Sequence, residues 1–123
     1  MAGKWWSVVV DCTDPRMLGR RWAEVLGYTG LYDSPGEVVL AEGTAERPRW
    51  PSLVFVRVLE VMTHRNRLHP DLNPDDEEAE VARLLALGAR RTDVLRHRVP
   101  WTVLIDPEGN EFRVLTPRVQ NGV

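Results

Sequence analysis

The sequence predicts an α+β fold built from two copies of one strand–helix–strand unit. Residues 7–27 and residues 66–88 share an outline in which an extended segment leads through an aspartate into a helix that ends in Leu-Gly. A repeated unit is typical of paired sheets, so we expect two βαβββ modules with a cavity between them. The 123 residues suffice for one such domain, which we place at residues 1–117.

Module one is expected at about residues 4–60. Asp14 can cap a helix that has Pro15 at its first position, and Gly27 can end that helix in a left-handed conformation. The apolar residues of this helix recur on one face, at Leu18, Trp22, Val25 and Leu26. Alternation and turn residues predict strands at 5–11, 28–32, 37–41 and 53–59, with a proline-bearing connection at 46–51.

Module two is expected at about residues 66–116. Asp75 or Asp76 can cap its helix, and Gly88 can end it. The apolar stripe of the helix consists of Val81, Leu84 and Leu85. Strands are predicted at 67–72, 89–94, 101–106 and 111–115, and residues 118–123 are expected to form a frayed tail.

Composition narrows the classes of partner. The 16 basic and 18 acidic residues nearly cancel, so we expect binding to neither nucleic acid nor a membrane. The early apolar run ends at Asp11 and is too short for a signal sequence or a spanning helix, so we expect a cytoplasmic protein.

Cys12, the only cysteine, is expected to be buried and inert. The histidines lack zinc spacing, and His64 and His97 are expected in solvent.

Three segments carry a family resemblance: residues 67–72 followed by Asp76, residues 81–89, and residues 106–112. In this order and at this spacing they resemble the glyoxalase-like proteins of the vicinal oxygen chelate superfamily, from Ser7 to Leu115. The resemblance implies that the two βαβββ modules form curved mixed sheets around a central cavity, and that the protein is a homodimer. It implies no single reaction, because one fold hosts many activities.

The resemblance also implies where a metal would bind. Metal-using members of the superfamily hold a divalent ion through four equivalent positions on the first and last strands of the modules. In this chain those positions are Ser7, Val56, His69 and Arg113. Only His69 is a usual ligand, and the permanent positive charge of Arg113 repels a cation. We therefore expect no metal and no other cofactor, unless a shift of register by one residue brings other side chains inward.

Arg113 and His69 each have two interpretations. The guanidinium of Arg113 can replace the ion and hold a carboxylate or phenolate by two parallel hydrogen bonds, or it can form a structural pair with Asp71. His69 can act as a general base or proton donor oriented by Asp71, or it can be a hydrogen-bonded remnant of an ancestral metal site. Asp71 follows His69 by two residues and so shares its strand face. Pro70, between them, indicates an edge strand or a local distortion.

The five tryptophans indicate an aromatic-lined pocket. Trp22 is expected in the core, and the other four lie at strand starts or in a loop: Trp5, Trp6, Trp50 and Trp101. Alternation places Trp5 on the face of Ser7, so Trp5 and Trp101 can sandwich a flat ligand. For any single tryptophan, packing or a dimer contact is the favoured interpretation.

Three functions are compatible with these residues. The first is a metal-free protein that holds a planar or anionic small molecule between its modules, as the drug-sequestering members of the superfamily do. The second is a metal-independent isomerase, lyase or cyclase in which His69 or Asp71 moves a proton and Arg113 stabilises an oxyanion. The third is a divalent-metal-dependent lyase or dioxygenase with ligands from another register. We favour the first, with ligand-binding residues Trp5, Ser7, Val56, His69, Trp101 and Arg113.

Overall fold

A computed structural model describes residues 2–59, 68–92 and 101–117 of the chain. The chain forms two compact units, Met1–Met62 and Thr63–Val123, which we call module one and module two. In the described residues, each module has one helix and a four-stranded mixed sheet, and the sequence-based prediction of a βαβββ unit built twice is confirmed. The predicted tail at 118–123 and the histidines His64 and His97 lie outside the described residues.

Module one runs β1 (Ser7–Cys12), α1 (Pro15–Leu26), β2 (Thr29–Asp33), β3 (Glu37–Gly43) and β4 (Pro48–Arg57). Its sheet has the order β1-β4-β3-β2, in which β1 runs parallel to β4 and the other neighbours are antiparallel. The edge strand β1 therefore lies beside the last strand of its own module.

Helix α1 begins and ends where the capping residues predict. The side chain of Asp14 accepts a hydrogen bond from the backbone N–H of Met17, and Gly27 closes the helix at a φ of 69°. Leu18 and Trp22 are buried on its inner face. Gly19 lets the helix approach β3 closely, because Val38 occupies the space that a side chain at position 19 would fill.

Strand β4 begins earlier than the sequence predicts. The prolines of residues 46–51 indicate a connection, but the strand already begins at Pro48, and β3 continues to Gly43 to pair with it. The pairing of β1 with β4 begins only at Ser52. Before this residue β4 has no hydrogen bonds to β1 in the ladder, so prolines there interrupt no pairing on that side. The Trp50–Pro51 peptide in this part of the strand is cis.

Module two runs β5 (Asp71–Leu72), α2 (Glu77–Ala86), β6 (Arg90–Arg91), β7 (Trp101–Ile105) and β8 (Glu111–Leu115). The sheet order β5-β8-β7-β6 repeats that of module one, again with the first strand parallel to the last. The buried side chains of this module are mainly aliphatic or aromatic: Val81, Leu84, Leu104, Phe112 and Val114.

Local contacts settle the open points in module two. Asp76, rather than Asp75, caps α2 by accepting from the backbone N–H of Ala79. Asp106 ends β7 instead of extending it, because its buried carboxylate accepts from the backbone N–H of Asn110 and from the side-chain amide of the same residue. No helix in the described parts of the chain is long and apolar enough to cross a membrane.

Two predicted strands of module two are shorter than expected. Residue 67 of the segment predicted at 67–72 is outside the described ranges, and the remainder is a strand only at Asp71–Leu72. Pro70 has no N–H for the ladder, although its carbonyl accepts from the N–H of Arg113. The segment predicted at 89–94 is a strand only at Arg90–Arg91, and residues 93 and 94 are outside the described ranges. The edge position of β5 agrees with the interpretation of Pro70.

Candidate functional site

One face of the sheet in module two carries the polar residues of interest. Along β8, Phe112 and Val114 are buried, and Arg113 between them therefore points to the opposite face. Strand β5 pairs with β8 in a register that sets Asp71 directly beside Arg113. His69, two residues before Asp71, lies on the same side. These three side chains therefore lie on one side of the sheet.

Asp71 and Arg113 form a two-pronged ion pair across these strands. The Nε of Arg113 donates to Oδ1 of Asp71 at 2.7 Å, and Nη2 donates to Oδ2 at 2.5 Å. The two side chains are only 27% and 32% exposed, for Arg113 and Asp71 respectively. The hydrogen bond from Arg113 holds the pKa of the Asp71 carboxyl below its usual value, and the same bond raises the pKa of Arg113.

His69 is the third member of the group. Its Nδ1 lies 3.1 Å from Oδ1 of Asp71, the same oxygen that accepts from Arg113. The low pKa of Asp71 keeps this carboxyl ionised at neutral pH, so Asp71 can only accept, and Nδ1 of His69 must be the donor. The proton of a neutral His69 is therefore on Nδ1, and Nε2 carries the lone pair.

Trp101 supports the other side of Arg113. The Cζ of Arg113 lies 4.4 Å from the centroid of the indole ring, a distance typical of a cation–π contact. Trp101 reaches this position because β7 pairs with β8, with Trp101 opposite Leu115 and Val103 opposite Arg113. A carboxylate at one edge and an indole on one face thus fix the guanidinium. We call His69, Asp71, Trp101 and Arg113 the module-two cluster.

The module-two cluster does not fit a divalent metal ion. Both oxygens of Asp71 are taken by Arg113, and Nδ1 of His69 is bound to the same carboxylate. The guanidinium occupies the position where the resemblance would place a ligand, and it would repel a cation. Among the described residues, no group of three or more His, Cys, Asp and Glu side chains is arranged to hold a metal.

The candidate residues of module one do not form a comparable cluster. Ser7 pairs with Ser52 and Val56 pairs with Asp11, so Ser7 and Val56 share a face but stand four ladder positions apart. At the rise of a β-strand this separation is about 13 Å. The register therefore does not bring the two side chains together. Cys12 is buried, as predicted, with Sγ 3.7 Å from the carbonyl oxygen of Val56.

The tryptophans divide between the core and the surface. Trp22 is buried, as predicted, whereas Trp5 precedes β1 and is 71% exposed. Sequence reasoning missed that Trp6 and Trp50 stack on each other, with ring centroids 4.5 Å apart and an interplanar angle of 13°. The stack depends on the start of the β1–β4 register, where the N–H of Ser52 donates to the carbonyl of Trp6. No local pattern in the sequence distinguishes this pair.

Residues 7–115 match the family model of the glyoxalase-like domain. The chain belongs to this family. Membership places the glyoxalase-like chain in the vicinal oxygen chelate superfamily, as its resemblance implied, and the match spans all the described strands and both helices. No curated protein has a significant match to the chain.

Solved structures with the same fold include proteins of varied description. A glyoxalase/bleomycin resistance protein/dioxygenase family enzyme from Burkholderia phytofirmans superposes with a TM-score of 0.70 at 17% identity, covering 94% of this chain and 100% of that one. A trypanothione-dependent glyoxalase I from Leishmania major has a TM-score of 0.64 at 17% identity, with 94% and 87% covered. A fosfomycin resistance protein from Mesorhizobium loti has a TM-score of 0.68 at 14% identity, with 97% and 95% covered. At these identities the likeness establishes the fold alone.

Proposed function

We propose that this glyoxalase-like protein binds a planar, anionic small molecule at the module-two cluster, without a metal ion. The observation that carries the proposal is the guanidinium of Arg113, which is fixed in orientation and yet only partly used. Its Nε and one N–H of Nη2 bind Asp71. Within the described residues, Nη1 makes no hydrogen bond, so the fork formed by Nη1 and the second N–H of Nη2 remains for a ligand oxyanion.

The neighbours of Arg113 favour a flat ligand. The indole of Trp101 lies beside the guanidinium, and the imidazole of His69 contacts the carboxylate oxygen that accepts from Nε of Arg113. An aromatic acid can place its carboxylate on the fork while its ring contacts these planar groups. The fixed guanidinium also lowers the entropic cost of binding, because the side chain is already ordered.

The charge of the module-two cluster allows an anion to bind but attracts the anion only weakly. Asp71 compensates the charge of Arg113, so the cluster is close to neutral when His69 is neutral. Affinity must therefore come from the two hydrogen bonds of the fork and from ring contacts together.

Isothermal titration calorimetry with benzoate, 2-naphthoate and the uncharged benzamide tests the proposal. We expect the two carboxylates to bind and benzamide to bind much more weakly, because only an anion gains charge-assisted hydrogen bonds. R113M should weaken carboxylate binding by at least tenfold, which corresponds to about 1.4 kcal/mol.

Arg83→Met is the matched control. Arg83 makes the same two-pronged contact with Glu80 on the outside of α2, with Nε and Nη2 each 2.9 Å from a carboxylate oxygen. Its loss should leave binding unchanged. Equal affinity of wild type and R113M for the carboxylates, or no binding of either carboxylate, would disprove the proposal.

A further inference from the structure

We propose that two copies of this chain join through strand β1, which runs antiparallel to the partner's β1 about a two-fold axis at Ser7. The four-stranded sheets of module one in the two copies then form one continuous sheet. The family resemblance implies a homodimer but gives no contact surface. This surface is separate from the module-two cluster and does not depend on its ligand.

Strand β1 is the least protected edge strand of the two sheets. Edge strands of monomers usually carry charges, prolines or bulges, or are very short, and these features discourage pairing with another chain. In the described residues, β2 has a register shift between Gly30 and Tyr32, β5 and β6 have two residues each, and Pro70 precedes β5. Strand β1 has six residues and a single charge, at Asp11. No described strand pairs with its outer side.

The backbone of β1 offers hydrogen-bonding groups along this outer side. The carbonyl of Trp6 accepts from the N–H of Ser52 on β4. Because backbone groups alternate in direction along a strand, the even-numbered residues turn their N–H and C=O groups to β4, and Ser7 and Val9 turn theirs outward. An antiparallel partner can bond to these groups only where odd-numbered residues stand opposite odd-numbered ones. A two-fold axis at Ser7 meets this requirement.

The side chains of β1 and of the residues before it favour this axis. It places Trp5 opposite the partner's Val9. It also places Trp6 opposite the partner's Val8, and the small Ser7 stands opposite its own copy. Aromatic and β-branched residues opposite each other stabilise antiparallel strands. The two tryptophans and the two valines are each at least 40% exposed in the single chain, so their apolar surface is available for this contact.

The neighbouring registers give poorer pairs. An axis at Val8 also matches the backbone groups, but it places Trp5 opposite the partner's Asp11. An axis at Trp6 places Trp5 opposite the partner's Ser7. Only the axis at Ser7 gives both tryptophans a valine as their opposite residue, and so it buries the most apolar surface of the three.

Trp50 holds Trp6 in place for such a contact. The two rings stack, and Trp50 lies on β4, the strand next to β1. Trp50 therefore covers the face of Trp6 on the β4 side, and the other face of Trp6 is turned toward the edge of the sheet. A ring that is already ordered loses less conformational freedom when a partner covers it.

The size and charge of this surface fit a second copy of the chain. Trp5, Trp6 and Trp50 leave roughly 400 Å² exposed, taking about 200–250 Å² for one whole tryptophan side chain. A standard interface buries about 800 Å² on each partner, so these three residues supply about half of that area. The net charge of −2 is too small for strong repulsion between two copies, and it gives no attraction to nucleic acid or an anionic membrane.

Sedimentation velocity of the full-length protein tests the association. We expect a dimer with a Kd in the micromolar range or below. V9K should raise the Kd roughly tenfold or more, because a lysine opposite the partner's Trp5 removes the apolar contact and a charged edge strand resists pairing. Y32K is the matched control and should leave the Kd unchanged, since Tyr32 is also exposed but lies on β2, at the opposite edge of the sheet.

Cysteine cross-linking tests the register and does not depend on the folding of V9K. In S7C the two new thiols meet at the axis, where the Cα atoms of a hydrogen-bonded antiparallel pair are about 5.5 Å apart, within reach of a disulfide. In V9C the two new thiols are four residues apart along the strands, about 13 Å. Both variants carry C12S to remove the native thiol. Mild oxidation should give a covalent dimer on a non-reducing gel with S7C and none with V9C.

Three results would overturn the proposal. A chain that stays monomeric throughout the micromolar range would mean that β1 meets no second copy. A dimer that V9K weakens no more than Y32K does would mean that another surface joins the copies. A dimer in which S7C forms no disulfide, or in which V9C forms one equally fast, would contradict the antiparallel register at Ser7.

Discussion

Asp71 is the residue on which the hydrogen bonds of the module-two cluster converge. One of its oxygens accepts from both His69 and Arg113, and the other accepts from Arg113 alone. Removal of the carboxylate would therefore release two side chains at once. Because the pair is about two-thirds buried and has two parallel hydrogen bonds, it should contribute more to stability than an ordinary surface ion pair.

A double-mutant cycle on D71N and R113M should give a coupling energy of roughly 1 kcal/mol in the free energy of unfolding at neutral pH. Arg113 lowers the pKa of Asp71 in the folded protein. This contribution is therefore complete above the unfolded pKa of about 3.9 and is lost as the pH falls through the lower folded value. Urea unfolding at neutral pH and at about pH 2–3 measures both quantities.

The same cycle on Glu80 and Arg83 is the comparison for a pair within one helix. Its hydrogen bonds have the same pattern, but the two residues are three apart on α2, and the side chains of Arg83 and Glu80 are 44% and 21% exposed. We expect a coupling energy of about 0.3–0.5 kcal/mol there. A coupling energy between Asp71 and Arg113 that is no larger than this, or that increases in acid, would contradict the prediction that their ion pair contributes more to stability.

At the scale of the element, α1 shows how one glycine sets the distance between a helix and a sheet. Gly19 lies inside the helix, where glycine costs about 1 kcal/mol relative to alanine. A β-carbon at this position would lie 2.7 Å from Cγ1 and 3.3 Å from Cβ of Val38 on β3, and 3.7 Å from the ring of Phe55. Close packing of α1 on the sheet outweighs the helical preference for alanine.

Gly19→Ala should therefore lower the free energy of unfolding, by about 1–2 kcal/mol, although the same change usually stabilises a helix. The side chain of Val38 is branched at Cβ and has little rotamer freedom with which to avoid the new methyl group. The loss should be smaller in a V38A background, where Cγ1 is absent. Denaturant titration of the four variants measures both effects.

Gly30→Ala is the matched control for this prediction. Gly30 lies in β2, and no atom stands within 4 Å of the position of its missing β-carbon. The change should leave stability nearly unaltered. A G19A protein as stable as wild type would mean that α1 can move away from β3 at little cost.

At the scale of the whole molecule, the two modules share a strand order, but the residues paired between the first and last strands differ in charge. Module two has Asp71 opposite Arg113, whereas module one has Asp11 opposite Val56. The duplication therefore preserves the sheet and not the chemistry. Whether the chain forms the expected homodimer remains a prediction, which sedimentation equilibrium tests.

The protein purified without added metal should contain far less than one equivalent of tightly held divalent ion. The charge of Arg113 and the engagement of Asp71 leave His69 as a single ligand in the cluster. Dialysis against EDTA should change neither the melting temperature nor carboxylate binding, because no binding energy is removed. Elemental analysis and differential scanning fluorimetry measure these outcomes. A stoichiometric ion, or a fall in melting temperature on chelation, would contradict the metal-free proposal.

Much of the fold follows from local signals. Asp14 with Pro15 locates the start of α1, Gly27 locates its end, and alternation assigns His69 and Asp71 to one strand face. These features depend on residues a few positions apart, where backbone preferences and side-chain periodicity act directly. One exception is the start of β4, where prolines indicate a connection, but β3 extends to Gly43 and pairs with this part of the chain.

The site depends on contacts between residues that are distant in sequence. From the sequence, Arg113 can serve either as an anchor or as the partner of Asp71, and the register of β5 on β8 sets the two side by side. The stacking of Trp6 on Trp50 likewise depends on where β1 begins to pair with β4. The local sequence pattern thus determines which residues form strands and which way their side chains face. The register between strands determines which side chains touch. A shift along the ladder changes every cross-strand neighbour and leaves the sequence pattern intact, so the pattern alone does not specify the contacts.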